Sequence, residues 1–163
     1  DENDGADLWH GLGQSVPLLL ESSPAATIFK IVQLPSRLGA LLAPLAHIAK
    51  EASLAHAFVV RGSGIVYFAL LPPLNEPAAN QVASITVPDS LRQLTEAAYG
   101  VFQLCAQENA SATLPWCPVA LKRVVNVWGP SVASGSPARF DLVLMRRLKS
   151  AFDPCNVFSP GRF

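Results

Sequence analysis

The sequence predicts an α+β domain of ferredoxin-like type. A β-α-β-β-α-β order would build a four-stranded antiparallel sheet with its helices on one face, and a C-terminal helix and tail would follow. Three observations predict this. Runs rich in β-formers at 27–34, 57–61, 65–71 and 112–116 alternate with polar, Pro-bearing or Gly-bearing breaks. Stretches from Leu38 and from Leu91 repeat apolar residues at helical spacing. Gly62-Ser63-Gly64 joins the second and third β runs with a hairpin-length turn.

The elements follow in order. Asp1–Asp7 carries four acids and reads as a solvated leader or the end of a linker. Leu8–Leu20 is a weak helical patch, closed by the loop signal Glu21-Ser-Ser-Pro24. The first strand, Thr27–Leu34, stops at Pro35, and Ser36 is a candidate N-cap. Leu38, Leu41, Leu42, Leu45, Ile48 and Ala49 then form one helical face, with a kink or break expected at Pro44. Ala57–Arg61 and Ile65–Leu71 make the hairpin, which ends at Pro72-Pro73. The second helix starts near Pro88-Asp89-Ser90, where Ser90 and Gln93 have capping-box spacing. Its apolar face is Leu91, Leu94, Ala98, Val101, Phe102 and Cys105. Ala112–Trp116 is the last strand. Beyond a Ser/Gly/Pro loop at 131–137, Ser136 and Pro137 make an N-cap and first-turn pair for a final helix ending near Phe152. Phe140, Leu144, Leu148 and Phe152 line one face of that helix, and Arg146, Arg147 and Lys149 favour its C-terminal dipole. The expected organisation is a linker and helical segment over 1–26, the sheet domain over 27–116, and the C-terminal helix and tail over 117–163.

Composition excludes several function classes. The chain has 163 residues, is 50% apolar, and balances 12 Lys+Arg against 12 Asp+Glu. Such a chain buries a real core, so it is neither disordered nor a strongly basic nucleic-acid binder. Its longest apolar run, Ile65–Leu71, is far short of the about 20 residues of a membrane-spanning helix. Charged residues make up 15%, against about 25% in average soluble domains, which suits a surface that docks on a larger body. The start at Asp1, with no initiator Met, suggests a piece of a longer protein. Cys105, Cys117 and Cys155 form no Cys-x-x-Cys, which argues against a zinc ribbon or iron–sulfur run and suits a reduced, cytoplasmic setting. His47 and Glu51 sit four apart and read as a solvated helix pair rather than a metal site. There is no Walker loop, no Gly-x-Gly-x-x-Gly and no Gly-x-Ser-x-Gly. Arg61-Gly-Ser-Gly64 reads as a hairpin turn rather than an anion nest.

The C-terminal segment is more specific. Leu148-Lys-Ser-Ala-Phe-Asp-Pro-Cys-Asn-Val-Phe-Ser-Pro-Gly-Arg162 resembles the terminal signature of FAD-linked oxidases of the vanillyl-alcohol oxidase type. Cys117–Pro130, Leu144–Lys149 and Ile28–Pro35 are similar to one branch of that family, the FAD-binding subunit of bacterial glycolate oxidase. The resemblance implies an FAD-dependent 2-hydroxy-acid oxidoreductase. Its FAD would be bound mainly by a domain absent from this chain, which would itself be the cap over flavin and substrate. Asn156, Ser159, Pro160, Gly161 and Arg162 would be the flavin-side residues, with Ser159 standing where the family usually has Asn. The implied partners are the FAD-binding domain of the same protein, other oxidase subunits including an iron–sulfur subunit, and a small 2-hydroxy acid. Nucleic acid and a transmembrane segment are not expected. The setting would be cytoplasmic, peripheral to the inner membrane through partner subunits. The His-x-His and Gly-Asp-Gly-Asn metal motifs of related branches are absent, so no metal site is implied. Physically, Asp153-Pro154 stops a helix and Pro160-Gly161 forces a turn, so Arg162 rides on a restricted backbone. The isolated chain is expected to be inactive.

A second set of residues comes from the strands. Lys30 and Arg61 interrupt apolar runs, and Tyr67 lies on the strand paired with that of Arg61. If all three point away from the helices, they form a cationic patch with a phenol, suited to a carboxylate such as glycolate. The alternative is that Lys30 and Arg61 snorkel at sheet edges. Trp116, Trp128 and Cys155 read as packing residues. A different class of function is a free-standing ferredoxin-like module that senses a small molecule or dimerises through its sheet.

Overall fold

Alternating apolar residues draw four strands into one sheet. The computed structural model describes residues 9–11, 13–71, 88–129 and 140–159. In it β1 (Thr27–Val32), β2 (Ala55–Arg61), β3 (Ile65–Leu71) and β4 (Ser111–Trp116) lie in the order β2-β3-β1-β4. Every neighbouring pair is antiparallel. The helices are α1 (Ser15–Ser22), α2 (Leu38–Glu51), α3 (Pro88–Gln107), the short α4 (Val119–Lys122) and α5 (Phe140–Phe152). The protein is thus α+β, with a four-stranded antiparallel sheet. It divides into two compact units, Asp1–Pro130 and Ser131–Phe163.

Strand parity decides the core of the first unit. Phe29, Ile31, Val66, Phe68, Leu70, Ala112 and Leu114 face one way. They meet Leu38, Leu41, Leu45 and Ala49 of α2 and Leu94, Ala98, Val101, Phe102 and Cys105 of α3. Phe29 is fully buried, with its ring centroid 5.4 Å from that of Phe102, edge to face, and 6.4 Å from that of Phe68. Burial of each such large side chain stabilises the fold by about 1.5–3 kcal/mol. Burial also pushes the Cys105 thiol up to about 12.

Several expectations are corrected. α2 runs unbroken through Pro44. Ala40, whose carbonyl loses its amide partner there, is exposed, so water can replace the missing donor. Ser36 does not cap α2. It lies in a 3-10 turn, Pro35–Arg37, and Arg37 takes the cap position without a side-chain hydrogen bond. Ser90 falls inside α3, which already begins at Pro88. α2 and α3 share one face, as expected, while α1 of the N-terminal segment packs Val16, Leu19 and Leu20 against Ala26, Ile28 and Ala69 on the opposite side of the sheet. The Ser136-Pro137 cap, the 131–137 loop, Pro72-Pro73 and the acidic leader lie outside the described residues.

The hairpin that carries Arg61 is firmly tied. Gly64 has φ +90°, and its amide donates to the Arg61 carbonyl at 3.0 Å. The Gln33 amide donates to the Gly64 carbonyl at 2.9 Å. The buried Gln33 side chain donates to the Glu108 carbonyl at 2.6 Å and accepts from the Leu34 amide at 2.8 Å. One side chain thereby links the end of β1 to the residue after α3, while its own amide holds the β2–β3 turn.

Candidate functional site

Lys30 and Tyr67 are directly opposite each other in the β1–β3 register, and Val59 is opposite Tyr67 in the β2–β3 register. Directly opposed residues of antiparallel strands project from the same face. Arg61 lies two residues beyond Val59, so the period of two returns it to that face. Its guanidinium carbon stands 5.3 Å from the centre of the Tyr67 ring, a cation–π contact worth about 0.5–1 kcal/mol at an exposed site. The structure therefore brings Lys30, Arg61 and Tyr67 together on the side turned away from α2 and α3. Lys30 and Tyr67 are half-buried and Arg61 is exposed. Among the described residues, neither cation has a carboxylate partner. The apolar cluster on this face, Ala26, Ile28 and Ala69, gathers Val16, Leu19 and Leu20 of α1 with Ala57 and Leu71 of the hairpin, and Tyr67 borders it. The end of this face nearest the hairpin turn keeps its charges.

Trp116 joins this face and is not a simple packing residue: its ring centre is 6.4 Å from that of Tyr67, and the side chain is 37% exposed. Counting alternate residues from Ala112 and Leu114 puts Trp116 among the core residues. A register shift between Ile28 and Lys30 sets Trp116 opposite Ile28 instead. Pro115 sits at that shift, and proline in a sheet is at home at edges and irregularities. Trp128 is half-buried. Cys155 is exposed, contrary to its expected packing role. The His47–Glu51 pair is 3.4 Å apart on an exposed helix surface.

The C-terminal unit has its own organising group. The Asp153 carboxylate accepts the amides of Val157 and Phe158, each at 2.9 Å, and the Lys149 ammonium. Lys149 also donates to the Phe158 carbonyl. The Asp153 side chain is 7% exposed, covered by its own turn. The Lys149 hydrogen bond, joined by the two amides, holds the carboxyl below its ordinary value against the opposing effect of desolvation. The i,i+4 spacing of Lys149 and Asp153 was a visible signal for this pair. That Asp153 would also collect two amides downstream was not visible.

The turn leaves Asn156 at φ +51° and Ser159 at φ +46°, both in the left-handed region. Asn adopts that region readily and Ser less so. Pro160, Gly161 and Arg162 lie outside the described residues. α5 exposes Leu144, Leu148 and Phe152 as a stripe, and Val157 and Phe158 are exposed in the turn that follows it.

No helix among the described residues is long and apolar enough to cross a membrane. The family model described as FAD linked oxidases, C-terminal domain, matches residues 138–163. Neither a curated protein nor a solved structure matches the chain.

Proposed function

We propose that this chain is the cap part of an FAD-dependent 2-hydroxy-acid oxidoreductase, of the kind represented by the FAD-binding subunit of glycolate oxidase. The observation that carries this reading is the family match over residues 138–163, which includes the Lys149–Asp153 turn. The β-α-β-β-α-β order, with a β2-β3-β1-β4 sheet, supports a ferredoxin-like cap.

FAD is held mainly by a domain outside these residues. The sequence has no Gly-x-Gly-x-x-Gly for a pyrophosphate. The chemistry of the sheet face fits a covering role instead: Tyr67 and Trp116 suit a planar ring system, and Lys30 and Arg61 suit an anionic substrate. Bound FAD supplies hydride acceptance. The chain supplies orientation: Arg61 and Lys30 hold the carboxylate, the Tyr67 hydroxyl offers a further hydrogen bond, and the apolar strand residues keep water out. The unit Ser131–Phe163 docks on the FAD-binding domain through Leu144, Leu148 and Phe152. Asn156 and Ser159, continuing into Pro160, Gly161 and Arg162, reach the flavin side. An iron–sulfur subunit would receive the electrons in a cytoplasmic complex peripheral to the inner membrane.

Flavin content tests the reading. Protein expressed from the complete reading frame should be yellow and flavin-loaded, whereas the 163-residue chain alone should be colourless. Stoichiometric FAD on this chain alone would overturn the division of labour, and a flavin-free complete protein would overturn the function.

A further inference from the structure

A half-open groove of ≈ 430 Å³ lies beside the Arg61–Tyr67 pair. One wall is Trp9 and Gly13 of the N-terminal segment. The other is the end of β2 and its turn, with Val59, Val60, Arg61 and Ser63. β2 is an edge strand, and among the described residues no further strand pairs with it.

The chemistry of the groove is lopsided. Arg61 and Ser63 are its polar lining residues, and the rest is two valines, a tryptophan and glycines. Trp9 is 75% exposed. A tryptophan ordinarily buries about 150–250 Å² and anchors binding surfaces, so an indole left open on the lip of a groove is a contact surface waiting for a partner. The volume is at the small end of the about 300–1,000 Å³ typical of small-molecule sites. It is large for glycolate, whose two carbons would leave the indole and both valines untouched.

We propose that this groove selects 2-hydroxy acids bearing an aromatic side chain, with the carboxylate on Arg61 and the ring against Trp9 and Val59. The inference rests on the reading of Arg61 as the carboxylate-holding group and adds the substrate class to it. A carboxylate on the guanidinium forms a charge-assisted, bidentate contact. The aromatic ring gains what a short hydroxy acid cannot, the burial of apolar area on Trp9 and the valines.

Calorimetric titration of the complete protein, its flavin reduced beforehand with dithionite so that no hydride transfer occurs, with 3-phenyllactate and with glycolate tests it. Phenyllactate should bind at least about tenfold more tightly, the smallest step that one methylene makes in a filled apolar pocket. Trp9→Ala should bring that ratio close to one. Because Trp9 is exposed, the variant should fold normally, which circular dichroism checks. Arg61→Ala should weaken both acids. Equal affinities, or a ratio that survives Trp9→Ala, would overturn the aromatic selectivity while a weakened Arg61→Ala variant keeps the carboxylate reading. An Arg61→Ala variant that binds both acids like the parent would overturn the carboxylate reading itself.

Discussion

Replacing Gly64 with alanine should destabilise the first unit by about 2–3 kcal/mol, and the neighbouring Gly62→Ala should not. A Cβ built on Gly64 would lie 2.2 Å from the Gln33 carbonyl oxygen, far inside van der Waals contact. The residue also sits at φ +90°, where an L side chain costs about 1–2 kcal/mol. Relieving the clash separates Gln33 from the turn and sacrifices the 2.9 Å bond from its amide to the Gly64 carbonyl, a further loss of about 0.5–1.5 kcal/mol. A Cβ on Gly62 meets nothing within 4 Å, so Gly62→Ala should be neutral or stabilising by about 0.4–1 kcal/mol through the unfolded chain. Trp9, Trp116 and Trp128 all lie in the first unit, so tryptophan fluorescence reports its unfolding alone. In urea, at slopes of about 1–3 kcal/mol/M, the Gly64→Ala midpoint should fall by roughly 1 M. A fall below about 0.3 M at those slopes, or an equal fall for Gly62→Ala, would refute the steric argument.

Phe29→Ala removes a ring that touches both Phe68 and Phe102 at the centre of the core, and should cost about 3–5 kcal/mol by urea denaturation. The cysteines should react with iodoacetamide in order of exposure: Cys155 first, and Cys105, whose thiol is raised to about 12, only on unfolding. The C-terminal turn should depend on pH in one direction. The Asp153 carboxyl is depressed in the folded state, so its contribution is complete above its ordinary 3.8 and is lost as pH falls through the lower folded value. The Val157 and Phe158 amide signals should stay fixed above 3.8 and move only below it, and Asp153→Asn should abolish that step.

Much of the sheet domain was legible because two periods dominate it. Leu38, Leu41, Leu45 and Ala49 mark a helical face by spacing alone, and the Arg61–Ile65 turn sets the register that puts Arg61 and Tyr67 on one side, while Lys30 joins them through the β1–β3 pairing. α1 was harder to place. Its run Leu18-Leu19-Leu20 carries no clear period, and which sheet face it covers depends on tertiary contact. A bulge between Ile28 and Lys30 changes parity by one residue and turns Trp116 to the face of Tyr67, and nothing in the alternation announces that. Pro44 does not break its helix: proline disrupts a helix most where the orphaned carbonyl is buried, and here Ala40 is exposed to water. The groove beside Trp9 joins residues some 50 positions apart in sequence, a proximity that no local pattern encodes.

The most direct test of the central claim is anaerobic flavin reduction in the complete protein, with 3-phenyllactate as the 2-hydroxy acid. The yellow absorbance should bleach on addition, and Arg61→Ala should need a much higher concentration for the same rate. A flavin that stays oxidised with 2-hydroxy acids, or a rate indifferent to Arg61, would contradict that claim.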